Sequence, residues 1–360
     1  MQAVILVGGE GTRLRPLTTG TPKPIVTFVD RPFMGFMLEW LARHGVDEVI
    51  MACGFLATKV KDVLGDGSRF GVRLTYFEEP EPRGTAGALK FVESDLQERF
   101  LMLNGDVLTD VDVSAQIAQH ERTGASGTLG LVEVDDPSAY GLVLRNSDHS
   151  VSGFLEKPGP EQLEGVDRYF ISAGIYVLER SVLDLIEPDR NVSIEREIWP
   201  ALVGNGLYGY GAEGAYWLDI GTPDRYLQGT ADILSGAVQT AVSASDLASG
   251  PHVRGPVIVG DGAQFGAGAQ VIGPAVIGAG VELGAGALVE RSVVLDGGRI
   301  GEAAHVRDAI LAPNVTLGAH TRVEGQAVLG EGVTLGGENV LARGVKLFPG
   351  THLGDGAIKF

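Results

Sequence analysis

Over its first two thirds the chain alternates short apolar runs with stretches of helical periodicity. QAVILV at 2–7 runs straight into glycines and reads as a strand buried on both faces. Phe33, Phe36, Met37, Trp40 and Leu41 recur at helical spacing and predict a helix over Phe33–His44. The same reading gives strands at Glu48–Ala52, Arg73–Phe77, Phe100–Leu103 and Thr128–Val134. It gives helices at Leu56–Leu64, Thr85–Val92, Val113–Thr123 and Tyr226–Leu234. Strand–helix alternation of this kind predicts an α/β domain on a mostly parallel sheet, whose ligands bind at the carboxyl ends of the strands.

From Val259 the period changes. A large apolar residue returns every six positions through Phe265, Val271, Ile277, Leu283, Val289 and Leu295. After a one-residue slip come Ile300 and Val306, and after another Leu311, Leu317, Val323, Leu329, Leu335, Leu341, Leu347 and Leu353, 17 hexads in all. Six residues is no helical period. It suits a short strand and a glycine-relieved turn, stacked so that the aliphatic ladder fills a narrow core. The pattern resembles the left-handed parallel β-helix of hexapeptide-repeat proteins, in which three hexads make one coil; 17 hexads imply between five and six coils. Such a repeat serves structure or assembly, or houses an acyltransferase site with a histidine among His252, His305, His320 and His352. No motif surrounds any of the four.

Composition agrees with a change of architecture near residue 250: 23 of the 53 glycines lie in 251–360. The expected organisation is a domain over 1–235, a linker over 236–250 and the repeat over 251–360. With 46 acidic and 28 basic residues the net charge is −18. That disfavours nucleic acid and anionic membrane as partners and leaves any phosphate ligand to a few local cations. The single cysteine, Cys53, excludes an intrachain disulfide framework. The amino-terminal residues lack the pattern of a signal peptide, and no apolar run is long enough to span a membrane, so a cytoplasmic protein is expected.

The densest chemistry follows the first strand: Gly8-Gly9-Glu10-Gly11-Thr12-Arg13-Leu14-Arg15-Pro16-Leu17-Thr18, then Thr21-Pro22-Lys23-Pro24. Leu14 stands where a dinucleotide fingerprint needs its third glycine, and no Gly-Lys-Ser/Thr of a P-loop is present. The physics is still that of phosphate binding. Bare backbone can approach an anion, and Arg13, Arg15 and Lys23 place three cations on an acidic chain.

This run resembles that of the sugar-phosphate nucleotidyltransferase family, and the resemblance spans the chain, since several members carry a hexapeptide β-helix. It implies a Rossmann-like nucleotidyltransferase domain that joins a sugar 1-phosphate to a nucleoside triphosphate and releases pyrophosphate. Val192–Glu197 and Gly84-Thr85-Ala86-Gly87 look most like the mannose-1-phosphate guanylyltransferase branch, implying GTP and mannose 1-phosphate as substrates. Other branches, such as the glucose-1-phosphate thymidylyltransferases, keep the reaction and change the substrates. Intact Arg13, Lys23, Asp106 and Asp219 speak against a non-catalytic regulatory homologue.

By resemblance Arg13 and Lys23 are the catalytic cations on phosphate. Leu6, Gly8, Gly9, Gly11, Thr12, Glu79, Gly84 and Thr85 join Arg13 around the nucleotide. Tyr140, Gly141, Glu156, Lys157, Ser172 and Ala173 hold the sugar phosphate, and Asp106 and Asp219 hold Mg²⁺. Either aspartate alone reads equally as a turn residue beside glycine; as a pair they read as ligands. Glu156-Lys157 alone could be a surface ion pair. The family commonly has asparagine where this chain has Ser172, whose hydroxyl lacks an amide's reach. By the same resemblance Glu79 occupies the position where thymidylyl members use glutamine on the base, with Glu78 and Glu81 as the alternative residues facing the pocket. A carboxylate only accepts, which suits the two adjacent donors of guanine and not the carbonyls of a pyrimidine. The flank of the solenoid is the expected contact of a homo-oligomer.

Overall fold

The computed structural model describes Met1–Phe360 apart from Phe55, Ala139, Phe360 and the side chain of Glu156. The chain forms two compact units, Met1–Gly9 with Met37–Trp217, and Glu10–Phe36 with Leu218–Phe360.

The first unit is built on a nine-stranded mixed sheet. From one edge it runs Val151–Glu156, Gly141–Arg145, Phe170–Glu179, Arg99–Asn104, Gln2–Val7, Glu48–Cys53 and Arg73–Glu78. Gly127–Glu133 joins on Phe170–Glu179, and Leu207–Gly211 pairs with Gly127–Glu133. Four strands, from Arg99–Asn104 to Arg73–Glu78, are parallel. Phe170–Glu179 is antiparallel to its neighbours Arg99–Asn104 and Gly127–Glu133, and Gly141–Arg145 forms a hairpin with Val151–Glu156. Gln2–Val7 lies in the middle of the parallel set, which is why it is apolar without alternation: Ala3, Val4 and Ile5 are fully buried.

Four helices follow the expected periodicities to within a residue, at Phe33–Arg43, Ala57–Leu64, Gly84–Phe91 and Val113–Thr123, and a further one, Pro223–Ser235, starts three residues before the expected Tyr226. Ala57, Val60 and Leu64 make the buried stripe of the second. Asp112 caps the fourth, accepting from the Ala115 N–H at 2.9 Å. Among the described residues no helix is long and apolar enough to cross a membrane.

In the second unit, residues from Val253 onward make three six-stranded parallel sheets, one strand from each per coil, consistent with a left-handed β-helix. That is one strand more than the hexad count. Val253–Arg254 opens the ladder, a rung before Val259. The first phase slip also lies earlier than the sequence suggests. Val294, not Leu295, stacks on Ile277 and beneath Leu311. Val293, Val294 and Leu295 are all aliphatic and all buried, so spacing alone does not select the rung. The inward aliphatics form one continuous core from Val257 to Leu341, each contributing on the order of 1.5–3 kcal/mol by burial.

Among the described residues no metal-holding group of three or more His, Cys, Asp and Glu includes a solenoid histidine. The His252 ring stacks on Phe265 and bonds the Ala269 carbonyl at 2.9 Å. His305 pairs with Glu290 at 2.8 Å. His320 sits at a corner with φ 59°, and His352 lies in the last strand.

Within the same unit the helix Pro223–Ser235 packs on the solenoid strand Ala275–Ile277. Its Tyr226 is buried edge-on against Phe28 at 5.0 Å and donates its hydroxyl to the Thr27 carbonyl at 2.5 Å. The segment that carries Arg13 and Lys23 is thereby held to this helix.

Candidate active site

In the first unit the parallel strands end side by side: Val7 is level with Cys53, Cys53 with Glu78, and Leu6 with Asn104. Gly8, Glu79, Gly105 and Asp106 follow these ends directly. The strand ends are packed so closely that side chains are excluded. A β-carbon on Gly105 would lie 2.6 Å from the Leu6 carbonyl, and one on Gly54 would lie 3.2 Å from Gly8 Cα. The Leu6 carbonyl already accepts the Gly105 N–H at 3.0 Å, so that atom serves the strand joint. Gly8 and Gly9 are exposed, and Asp106 is half-buried.

Glu79 is tied at both ends. Its N–H donates to the Cys53 carbonyl at 2.8 Å, and its Oε2 accepts the Arg83 N–H at 3.2 Å. Burial pushes its carboxyl above the usual carboxylate range, against the pull of Arg83. Burial also pushes the neighbouring Cys53 thiol up to about 12, helped by Glu78 and Glu79; it is a packing residue with no nucleophilic character.

Gly84 takes φ 70°, and a β-carbon there would meet the Val192 carbonyl at 2.6 Å. Thr85 accepts the Ile194 N–H at 2.8 Å and donates to Glu195 Oε2 at 2.9 Å. The hydroxyl expected near the nucleotide thus joins this helix start to the segment Val192–Glu197. Glu195, 110 residues away along the chain, is a partner that spacing does not reveal.

The sugar-side residues of this unit form one connected group. The Lys157 N–H donates to the Tyr140 carbonyl at 3.0 Å, and Lys157 itself has φ 45°, a strained backbone for a residue with a side chain. Tyr140 meets Trp217 edge-on at 5.8 Å, and Trp217 Nε1 donates to the Ala173 carbonyl at 2.9 Å. Ser172 Oγ is 3.0 Å from the Tyr176 hydroxyl and accepts the Gly174 N–H at 3.3 Å. The turn is pressed against Asn104, whose Nδ2 would lie 2.8 Å from a β-carbon on Gly174. Gly141 is paired with Glu156 in the hairpin, and the Glu156 side chain lies outside the described residues. Trp217 and Asn104 complete the group; each stands two residues before one of the expected aspartates, Asp219 and Asp106, yet only the fold shows what they touch.

In the second unit, Gly11 has φ 62° and opens a single 3₁₀ turn, Thr12–Leu14. The Thr18 hydroxyl closes the loop by donating to the Gly11 carbonyl at 2.8 Å. A β-carbon on Gly11 would lie 3.3 Å from Lys23 Cβ, so the glycine loop and Lys23 are neighbours. Leu14 is buried as the anchor, while Thr12 and Arg13 are exposed. Arg15 is spent on Glu10 at 2.9 Å. Arg13 lies beside Asp219: a β-carbon on Gly221 would be 2.9 Å from Arg13 Nη2 and 3.2 Å from Asp219 Oδ2. A cation and a half-buried carboxylate therefore converge on one point, an arrangement suited to phosphate and a hard metal ion.

Known proteins resemble the chain along its length. The family described as nucleotidyl transferase matches residues 2–236, and the GMPPB C-terminal domain matches residues 253–355. The chain is 39% identical over 346 residues to the mannose-1-phosphate guanyltransferase of Gibberella zeae, covering 94% of this chain and 93% of that one. It is 39% identical to that of Schizosaccharomyces pombe, covering 97% and 96%. It is 36% identical to the mannose-1-phosphate guanylyltransferase of Mycobacterium tuberculosis, covering 74% and 77%. Among solved structures, HddC from Yersinia pseudotuberculosis superposes with a TM-score of 0.55 at 28% identity, over 63% of this chain and 96% of that one. HddC complexed with GMP-PN superposes with a TM-score of 0.54 over the same shares.

Proposed function

Because this chain belongs to the nucleotidyl transferase family, we propose that it couples GTP to mannose 1-phosphate, forming GDP-mannose and releasing pyrophosphate. One observation carries the reaction class: Arg13 and Asp219 converge beside Gly221 on the unit that bears the glycine loop. Likeness to mannose-1-phosphate guanyltransferases over more than nine tenths of the chain supports the choice of base and sugar.

A phosphate oxygen of mannose 1-phosphate attacks the α-phosphorus of GTP, and the bond from that phosphorus to the bridging oxygen of pyrophosphate breaks. Two anions approach one another, so most of the protein's work is neutralising and aligning charge. Arg13 takes the charge that grows on the departing pyrophosphate. Lys23 steadies the triphosphate beside the glycine loop. Lys157 holds the sugar phosphate, with Tyr140, Gly141, Glu156, Ser172 and Ala173 around the hexose. Gly8, Gly9 and Thr12 present backbone to the nucleotide, and Glu79 reads the two donors of guanine.

The family uses a divalent cation, which we assign as Mg²⁺. Asp106 and Asp219, both half-buried carboxylates, are donors of the right hardness. Among the described residues no group of three or more His, Cys, Asp and Glu could hold a metal ion, so phosphate oxygens and water would complete the shell. When bound, the ion neutralises triphosphate charge. The functional division we assign is catalysis over 1–235, a linker over 236–250 and the β-helix over 251–360. We also assign a homo-oligomer formed through the solenoid flank, in the cytoplasm.

Pyrophosphate release over a matrix of four nucleoside triphosphates and several sugar 1-phosphates tests the reading. GTP with mannose 1-phosphate is expected to give the highest kcat/KM. A preference for dTTP with glucose 1-phosphate would overturn the substrates and keep the reaction; no turnover with any pair would overturn both.

A further inference from the structure

The turn that carries Arg13 leaves one carbonyl over. The Gly11 carbonyl accepts the Leu14 N–H at 3.0 Å, the Thr12 carbonyl accepts the Arg15 N–H at 3.2 Å and the Leu14 carbonyl accepts the Leu17 N–H at 3.1 Å. By the same spacing the Arg13 carbonyl should accept from residue 16. That residue is Pro16, which has no N–H. The donor comes from the solenoid instead: Lys346 Nζ lies 3.1 Å from the Arg13 carbonyl, across 333 residues of chain.

Register puts the lysine there. On one of the three solenoid sheets the outward positions stack as Val276 on Val293, Val293 on Ile310, Ile310 on Val328 and Val328 on Lys346. The first four are almost completely buried, although they point away from the solenoid's own core. Outward positions on another sheet, Glu282 and Arg299, are exposed. One flank of the solenoid is thus an apolar docking face, on which the helix Pro223–Ser235 rests at Ala275–Ile277. Its ladder changes from aliphatic to cationic at the rung that reaches the Arg13 turn.

We propose that Lys346 is a positioning residue for nucleotidyl transfer: it supplies the hydrogen bond that Pro16 cannot, fixes the peptide plane of Arg13, and so aims the guanidinium at the triphosphate. The inference rests on Arg13 being the triphosphate cation. The β-helix then contributes to catalysis through one ammonium group, on a carbonyl for which its own turn has no backbone donor. Without the lysine this exposed carbonyl would bond mobile water and the turn would lose a fixed point, and small errors in aim are expensive in phosphoryl transfer.

The test compares full-length Lys346→Met, which keeps the aliphatic stem and loses the donor, with Lys346→Arg and with Arg13→Gln. Lys346→Met is expected to lower kcat/KM for GTP about tenfold, to leave KM for mannose 1-phosphate within about twofold, and to leave the thermal midpoint within a few degrees. Lys346→Arg should recover most of the loss. In the Arg13→Gln background the methionine should cost nothing further. Wild-type kinetics for Lys346→Met beside an impaired Arg13→Gln would overturn the positioning role and keep Arg13. Equal losses against both substrates together with a lowered midpoint, unrescued by arginine, would overturn it as a stability effect. A fully active Arg13→Gln would remove the reading on which the inference stands.

Discussion

Arg13 and Asp219 face each other over the bare α-carbon of Gly221, where a β-carbon would lie 2.9 Å from the guanidinium and 3.2 Å from the carboxylate. The glycine is there for space. Gly221→Ala pushes a methyl group against both groups at once, and the guanidinium, as the flexible end, yields first. The expected result is a fall in kcat on the order of 10- to 100-fold, followed by pyrophosphate release. The thermal midpoint should move by no more than a few degrees. Unchanged turnover would show that the aim of Arg13 does not limit the reaction.

Glu79 offers a test of base choice. One carboxylate oxygen accepts the Arg83 N–H at 3.2 Å, and Oε1 has no partner among the described residues. Glu79→Gln replaces an acceptor by an amide that also donates, which disfavours the paired donors of guanine and suits a pyrimidine carbonyl. The ratio of kcat/KM for GTP over dTTP should drop by about tenfold or more. An unmoved ratio would mean that another group reads the base.

Local patterns were legible and distant contacts were not. The glycine loop could be found because it follows a short apolar run, and runs of that kind end at the ligand edge of a parallel sheet; Asp106 and Asp219 were legible through the resemblance to the family. The solenoid was legible because its period repeats, up to the stretch Val293–Leu295 where three buried aliphatics in a row conceal the rung. The bond from Trp217 to Ala173 spans 44 residues and that from Thr85 to Glu195 spans 110. No window along the chain contains both partners. Ser172 had signalled only a departure from the family pattern. The structure shows its hydroxyl occupied by Tyr176 and the Gly174 N–H, with the Asn104 amide packed against the same turn.

Acid stability should depend on His120. The ring is fully buried; Nδ1 is 2.8 Å from the Thr128 hydroxyl and Nε2 is 3.0 Å from Glu179 Oε1. Burial holds the imidazole below its ordinary 6.5, outweighing the pull of the Glu179 carboxylate, with Arg99 adding to the depression and Glu121 opposing it. Below pH 6.5 the unfolded chain takes up a proton that the folded chain refuses. The stability His120 contributes is therefore complete above that pH and falls away as pH drops toward the folded value. Burial likewise lowers His44, and the raised Glu79 carboxyl works in the opposite sense, so His120 is one contributor to the slope among several. Unfolding by urea across pH 7 to 5 should give a shallower acid slope for His120→Gln than for the natural chain. Equal slopes would mean that the ring is protonated in the fold.

The apolar flank of the solenoid makes a last, purely structural prediction. Val293 is fully buried and points outward between Val276 and Ile310, whereas Glu282 is exposed on another sheet. A repeat that needed only its own core would tolerate charge equally at either position. A flank that is covered would not, because an unpaired carboxylate loses its hydration when it is buried. Val293→Asp is therefore expected to cost about 3 kcal/mol or more, and Glu282→Gln to stay within about 0.5 kcal/mol. Both are read from denaturant midpoints of the full chain. Since the same flank carries Lys346 to the Arg13 turn, Val293→Asp should also lower kcat/KM for GTP in whatever fraction remains folded. A folded Val293→Asp protein with natural GTP kinetics would separate the docking of this flank from the reaction.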